Sequence, residues 1–147
     1  MAILNTETGE RIDFNDSYTD LCGYSREELR QDTLFSLTVG VDLKDQLRAV
    51  ETLRKERKVS GYPMTIKTKS GETKHLIGSA AMLEYGDDNL AITAWADITK
   101  RLIAEEQLRV SEEKFFKVFQ GSPNAVSISN LESGKFVEVN TSFERLF

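Results

Sequence analysis

The stretch NDSYTDLCGYSREEL, residues 15–29, decides the fold and predicts two short helices in succession. Residues 15–17 offer three polar side chains that can cap a helix N-terminus. Gly23 tolerates the left-handed conformation that ends many helices. Ser25 and Glu28 have the spacing of a capping box. A second helix is therefore expected to start as soon as the first one ends.

Strand patterns lie on both sides of this helical stretch. Two short strands are predicted before it, at 2–5 and 11–15, with Ile12 and Phe14 of the second sharing its inner face. After it, an amphipathic helix capped by Asp42 extends to Lys58, and Ser60-Gly61 stops it. Three more strands follow, at 62–67, 73–85 and 90–96. The last two carry apolar residues on both faces, so a second layer is expected to cover the sheet.

The totals exclude several classes of protein. The 147 residues carry a net charge of −5 and no basic cluster with interleaved aromatics, which argues against a nucleic-acid partner. No apolar run approaches the ~20 residues of a membrane span, so no membrane contact is expected. A single Cys and a single His leave no intramolecular disulfide and no multi-ligand metal site. A reducing, cytoplasmic location is the expectation.

The end of the chain repeats its beginning. ILNTETG at 3–9 aligns without a gap on ISNLESG at 128–134, so Gly134 stands 125 positions after Gly9. A period of that length indicates tandem domains and not a solenoid. The chain is therefore expected to be a piece of a longer array. Whether the second hairpin pairs with the sheet of a neighbouring molecule, as a domain swap, stays open.

The order of elements resembles the PAS domain family of sensory modules. The family implies an α+β fold, in which a five-stranded antiparallel sheet is flanked by short helices and followed by a linker helix. The resemblance divides the chain into a PAS domain at 2–99, a helical coiled-coil linker at 100–121 and the N-terminal fragment of a second PAS domain at 122–147. The matching residues are Asn15, Ser17, Tyr18, Leu21, Gly23, Tyr24, Ser25, Glu27, Glu28 and Leu29, the turn Lys69-Ser70-Gly71-Glu72, and Asp97-Ile98-Thr99.

The departures from that family argue against a bound cofactor. Its flavin-binding branch places a reactive Cys on a later helix, whereas Cys22 lies on the first short helix. Its haem-binding branch takes an axial His from the long helix, and residues 42–58 contain none. His75 is interpreted as a packing or surface residue. No cofactor and no metal are expected.

The resembled fold encloses a space between its helices and its sheet. Two interpretations are open: the side chains around this space either fill it as an ordinary core or surround a small ligand. The residues expected to form its walls are Phe14, Leu47, Val50, Ile66, Ile77 and Ile92.

The linker pattern indicates dimerisation and signal transmission. Residues 104, 108, 111, 115 and 118 follow a/d spacing, which predicts a parallel homodimer through the linker helix and a sheet face. Trp95, Leu108 and Phe115 are the interface candidates, although packing under a flanking helix explains Trp95 equally well. Asp97 and Thr99, where strand becomes helix, are the expected coupling residues.

No catalytic constellation is present in the sequence. The resemblance implies a regulatory, non-enzymatic module that passes a conformational signal to adjacent PAS and output domains, with a histidine kinase as the expected output. The alternative is a sensor with a small molecule or cofactor in its cavity, feeding a diguanylate cyclase. The sequence names neither the stimulus nor the output domain.

Overall fold

A computed structural model describes residues 1–33, 43–85 and 88–146. Its first unit, Met1–Lys100, contains one five-stranded antiparallel sheet in the order β2-β1-β5-β4-β3. The predicted α+β architecture is confirmed. The strands of this unit are β1 (Ala2–Asn5), β2 (Arg11–Phe14), β3 (Lys58–Lys67), β4 (Thr73–Tyr85) and β5 (Asp88–Asp97). The helices are α1 (Asp16–Cys22), α2 (Arg26–Gln31), α3 (Leu43–Glu56) and the start of α4 (Thr99–Gly121).

The capping signals of α1 and α2 act largely as predicted. Gly23 has φ 77° at the end of α1. The backbone nitrogen of Glu28 donates to Ser25 Oγ at 3.2 Å, and that of Ser25 donates to Glu28 Oε2 at 2.9 Å. Asn15 does not cap α1 with its side chain. Its Oδ1 instead accepts a hydrogen bond from the Met1 nitrogen at 2.9 Å, which joins the end of β2 to the start of β1.

The predicted inner face of β2 is wrong at Ile12. Ile3 pairs with Asp13 and Leu4 with Arg11, so Ile12 is an extra residue in a β-bulge. The bulge turns both Arg11 and Phe14 inward, each 4% exposed, and leaves Ile12 at the surface.

Helix α3 ends earlier than the sequence predicts. Its last residue is Glu56, and β3 begins at Lys58, so Ser60 and Gly61 lie inside a strand and do not stop the helix. Arg57 makes the change of direction with a φ of 63°. The predicted cap at Asp42 lies outside the described residues.

The inner faces of β4 and β5 form the floor of the core. Cross-strand pairing sets Gly78 opposite Trp95 and Ala80 opposite Thr93. Two buried clusters rest on this floor. One is centred on Phe14, Cys22, Leu29, Ile66 and Leu76, and the other on Leu4, Leu53 and Ala91.

The second unit, Arg101–Phe147, contains most of α4 and a hairpin of β6 (Ser127–Ser129) and β7 (Phe136–Val139), followed by α5 (Thr141–Leu146). Its hydrogen bonds repeat those of the first hairpin. Asn5 Oδ1 accepts from the backbone nitrogens of residues 7 and 8, and Asn130 Oδ1 accepts from those of 132 and 133. The β-bulge also recurs, at Val137.

Among the described helices, none combines the length and the apolar character that crossing a bilayer requires.

Candidate functional site

A cavity of about 80 Å³ lies between the inner face of the sheet and the helices α1 and α3. Most of its wall is apolar. Its lining residues include Leu4, Arg11, Tyr18, Cys22, Val50, Leu53, Met64, Ile66, Leu76, Gly78, Thr93 and Trp95.

The structure brings only part of the predicted wall together. Val50 and Ile66 line the cavity. Phe14 is buried in the adjoining core, where its ring packs against Tyr18 at 5.7 Å, but it does not line the cavity. The other three predicted wall residues do not line it.

Those three residues, Leu47, Ile77 and Ile92, are corrections to the predicted cavity. Leu47 is 45% exposed, one turn before the part of α3 that packs on the sheet. Ile77 pairs with Ala96, and Ile92 pairs with Ala81. Because alternate residues of a strand face opposite sides, both point away from the face that carries Leu76 and Ala91.

Trp95 lies on the inner face, which contradicts its proposed place at an interface. It is partly buried against the core and lines the cavity. Its ring covers the α-carbon of Gly78, where an added Cβ would lie 2.2 Å from two indole carbons. The flanking Ala94 and Ala96 are the residues that face outward.

Sequence reasoning missed Arg11, the charged residue of the cavity wall. Its Nε donates to Tyr18 Oη at 3.2 Å, and its Nη1 donates to the backbone oxygens of Asp32 at 3.0 Å and Leu29 at 3.5 Å. These bonds tie β2 to α1 and α2. The alternating pattern placed Arg11 outside, and no local signal announces the bulge that turns it inward.

The predicted coupling residues lie together at the junction of β5 and α4. Asp97 Oδ1 accepts from the backbone nitrogen of Thr99 at 2.9 Å, and Lys74 Nζ lies 3.6 Å from Asp97 Oδ2. The backbone nitrogen of His75 donates to Thr99 Oγ1 at 2.9 Å, and that of Ile98 donates to the His75 oxygen at 2.9 Å. The start of α4 is therefore fastened to β4 as well as to β5.

Electrostatics reinforce this junction. Hydrogen bonding from Thr99, with a smaller contribution from the charge of Lys74, holds the pKa of Asp97 below its ordinary value. The ionised carboxylate is the form that accepts these bonds. The junction is therefore strongest when Asp97 is charged.

Asn140 holds the other end of α4 and was also missed. It is fully buried, and its Nδ2 donates to the backbone oxygens of Phe119 at 3.0 Å and Asn124 at 2.9 Å. Its Oδ1 accepts from the nitrogens of Val126 and Phe143, both at 2.9 Å. The repeat offered a signal, since Asn140 stands 125 positions after Asn15.

Cys22 and His75 take ordinary places. The Cys22 thiol is buried and donates to the Tyr18 oxygen at 3.1 Å. His75 is exposed, with Nδ1 3.2 Å from Thr65 Oγ1. In the part of the chain that the structure describes, no three His, Cys, Asp or Glu side chains converge as metal ligands would.

Comparison with known families decides the identity of the first unit. The model of the PAS domain family matches residues 1–100, about two thirds of the chain. The chain belongs to the PAS domain family. The resemblance seen in the sequence is confirmed for that range, so the first unit is a PAS sensory domain, which is not itself catalytic. No curated protein matches the chain at a significant level.

Solved PAS structures share the fold at low sequence identity. A PAS domain from the fruit-fly ELK potassium channel is 17% identical, with a TM-score of 0.55 over 67% of this chain and 85% of that one. A PAS domain from a two-component sensor histidine kinase is 19% identical, with a TM-score of 0.56 over 65% and 81%. The LOV domain of a blue-light activated histidine kinase from Erythrobacter litoralis is 17% identical, with a TM-score of 0.54 over 67% and 94%. At this level of identity the similarity supports the PAS fold and does not identify the partners or the output domain of this chain.

Proposed function

We propose that this chain is a dimeric, cytoplasmic PAS module that passes a conformational signal through α4 to an output domain, a histidine kinase. The observation that carries the proposal is the fastening of Thr99, the first residue of α4, to Asp97 and His75. A movement of β4 against β5 at this point changes the bonds that hold the helix start. The junction thus links β4 and β5, which carry residues of the cavity wall, to the helix that leaves the domain.

The surface of α4 supports pairing with a second copy. Leu108, Phe115 and Val118 of the predicted seam are 60%, 54% and 74% exposed. Large apolar side chains spaced along one helix at a/d positions favour a parallel two-helix seam. The outward-facing Ile77, Ile92, Ala94 and Ala96 of the sheet offer a separate apolar surface to a partner. We assign dimerisation to these two surfaces, and no longer to Trp95.

The far end of α4 supports transmission into a following PAS domain. Gln120 Oε1 accepts from the nitrogen and the hydroxyl of Thr141, at 3.0 and 2.9 Å. With the bonds of Asn140 to the Phe119 oxygen, this fixes the last turn of α4 to the β6–β7 hairpin. The recurrence of the Asn5 and Asn15 hydrogen bonds at Asn130 and Asn140 supports interpreting 122–147 as the opening of a second PAS domain.

The dimer is tested by a charge placed in the seam. Leu108→Glu should convert the dimer to a monomer in a measurement of solution mass, because two buried carboxylates would face each other. Ile103→Glu adds the same charge at an exposed position on the opposite side of the helix from the seam and should leave the mass unchanged. An unaltered mass for both variants, or a monomeric wild type, would remove the dimer from the proposal.

Transmission is tested in the full-length parent. Thr99→Val keeps the size of the side chain but loses the acceptor for the His75 nitrogen, and it should change kinase output while the PAS domain stays folded. Lys100→Ala, at the exposed neighbouring position, is the control. Normal regulation in the Thr99 variant would contradict the coupling role.

The cavity favours a second candidate, a ligand-loaded sensor that feeds a diguanylate cyclase. Its buried Arg11 is a polar group of the kind that orients a small ligand in an otherwise apolar pocket. A native mass spectrum and an absorption scan of the purified protein would reveal a bound species in this case.

A further inference from the structure

Arg11 presents an unusual charge to the cavity. The residue is only 4% exposed, and it is part of the wall. Three of its five N–H groups donate to Tyr18 and to two backbone oxygens, all of them neutral acceptors. Its Nη2 has no hydrogen-bond partner among the residues that the structure describes. A buried cation without a counter-ion is unfavourable, and buried charges in proteins are generally paired.

The carboxylate of Asp32, whose backbone Arg11 contacts, does not act as its counter-ion. Arg11 binds the backbone oxygen of Asp32, but the Asp32 carboxylate turns its Oδ1 to the nitrogen of Thr33 at 2.9 Å. Asp32 Oδ2 is buried without a partner in the described part of the chain, and it forms no ion pair with Arg11. Within the described part of the chain, the guanidinium of this wall residue thus keeps one nitrogen without an acceptor.

The second copy shows that the hairpin does not require an arginine here. Phe136 occupies the equivalent position, 125 residues later, and pairs with Ser129 beside the same bulge. The bulge and the hairpin form with an apolar residue at this place. The positive charge of Arg11 therefore serves something other than the folding of the hairpin.

The volume limits what can bind beside Arg11. A cavity of roughly 150 Å³ holds a six-carbon ring, so one of about 80 Å³ leaves room for roughly three to five non-hydrogen atoms. Apolar side chains, among them Val50, Leu53 and Ile66, form most of the wall and suit a hydrocarbon group. The guanidinium suits a carboxylate, whose two oxygens match its planar N–H groups.

We propose that the cavity binds a short-chain monocarboxylate of two or three carbons, with its carboxylate on the Arg11 guanidinium and its hydrocarbon end against the apolar wall. The inference names the ligand of the sensory module proposed above and rests on that function. It differs from the proposed function in its test, because binding can be measured on the chain alone without any output.

Trp95 provides the readout. It is the only tryptophan of the 147 residues and it lines the cavity, so its fluorescence and its indole N–H resonance report on this site. Sodium propanoate, titrated against residues 1–147, should shift both signals to saturation with a Kd on the order of 1 mM, since so few atoms bind weakly. Propanamide has the same shape without the charge and should bind at least tenfold more weakly. Sodium chloride at equal ionic strength should produce no shift.

Two variants assign the effect to the side chain. Arg11→Met removes the charge and should reduce the propanoate affinity at least tenfold, while Arg11→Lys should retain part of it. Thermal unfolding of each variant, measured alongside, reports whether the domain is folded. Equal binding of propanoate and propanamide, or no Trp95 response to 100 mM propanoate, would overturn the proposal. The ligand and the transmission mechanism are tested separately. If propanoate still binds to a Thr99→Val parent whose output is altered, the result supports the ligand assignment independently of the transmission mechanism.

Discussion

Gly78 has to be a glycine because Trp95 lies over it, and Gly78→Ala tests that packing directly. An added methyl group would lie 2.2 Å from Cε3 and Cζ3 of the indole and 2.8 Å from Cη2. Three carbons of the ring would overlap the methyl group, so a small change of the Trp95 rotamer does not relieve the overlap. The indole must therefore move away from the sheet, into the cavity that it lines.

The geometry sets the size of the effect. Carbon atoms pack at about 3.5–4.0 Å, so the ring has to withdraw by more than about 1 Å. Overpacking of this kind typically destabilises by about 1–3 kcal/mol. In a domain of about 100 residues that corresponds to a fall in Tm of roughly 5–15 °C. The emission spectrum of Trp95 should also shift, because the ring leaves its present contacts.

Differential scanning calorimetry and tryptophan emission check both consequences on the same samples. Gly121→Ala is the matched control, because nothing lies within 4 Å of its added Cβ and the backbone there is helical. This control should leave the Tm of the first unit and the emission spectrum unchanged. A Gly78→Ala protein with the wild-type Tm and the wild-type emission would refute the packing of Trp95 on Gly78 and the inward assignment of that residue.

Three further predictions follow from the polar contacts. Ser25→Ala removes the capping box with Glu28 and should lower the free energy of unfolding by about 1 kcal/mol in a urea titration. Asp97 has a lowered pKa in the folded state, so its ionised form stabilises the domain above about pH 4. That contribution is lost as the pH falls through the folded pKa; Asp97→Asn should therefore flatten the loss of stability measured below pH 4, and an identical acid profile would contradict the junction. Asn140→Ala leaves the oxygen of Phe119 and the nitrogen of Val126 without their partner and should destabilise the hairpin by about 1–3 kcal/mol, seen as faster amide exchange there, whereas unchanged exchange would count against the hold on α4.

Local signals determined the elements that the sequence predicted well. The capping box at Ser25 and Glu28 and the terminating Gly23 depend on residues a few positions apart, and the structure contains both. The limits of β1 and β4 were also set by nearby turns and match the prediction. The end of α3 was less certain from sequence, because Arg57 changes the chain direction with a positive φ that no glycine announces.

Which face of the sheet a side chain points to depends on the partner strands, and therefore on residues far away in the sequence. Strands β4 and β5 have apolar residues on both sides, so alternation alone could not decide whether Ile77 or Leu76 faces the core. The partner strands decide it, since Gly78 opposes Trp95 and only a residue without a side chain can lie under the indole. The bulge at Ile12 had the same effect in β2, because one extra residue turned Arg11 inward. For this reason only some of the cavity residues, Val50 and Ile66, were predicted correctly.

The two copies of the hairpin distinguish the residues that form the hairpin from those that vary on it. The side-chain bonds of Asn5 and Asn15 recur at Asn130 and Asn140, so these asparagines belong to the hairpin itself. Arg11, which the bulge turns inward, is not repeated. The second copy has a phenylalanine at the equivalent position. A charge that the hairpin does not need, buried where it is costly and only partly satisfied by Tyr18 and two backbone oxygens, is best explained by a ligand that neutralises it. The same comparison predicts that Arg11→Phe would leave the first hairpin formed and would abolish propanoate binding, because the cavity would then have no charge to hold the carboxylate.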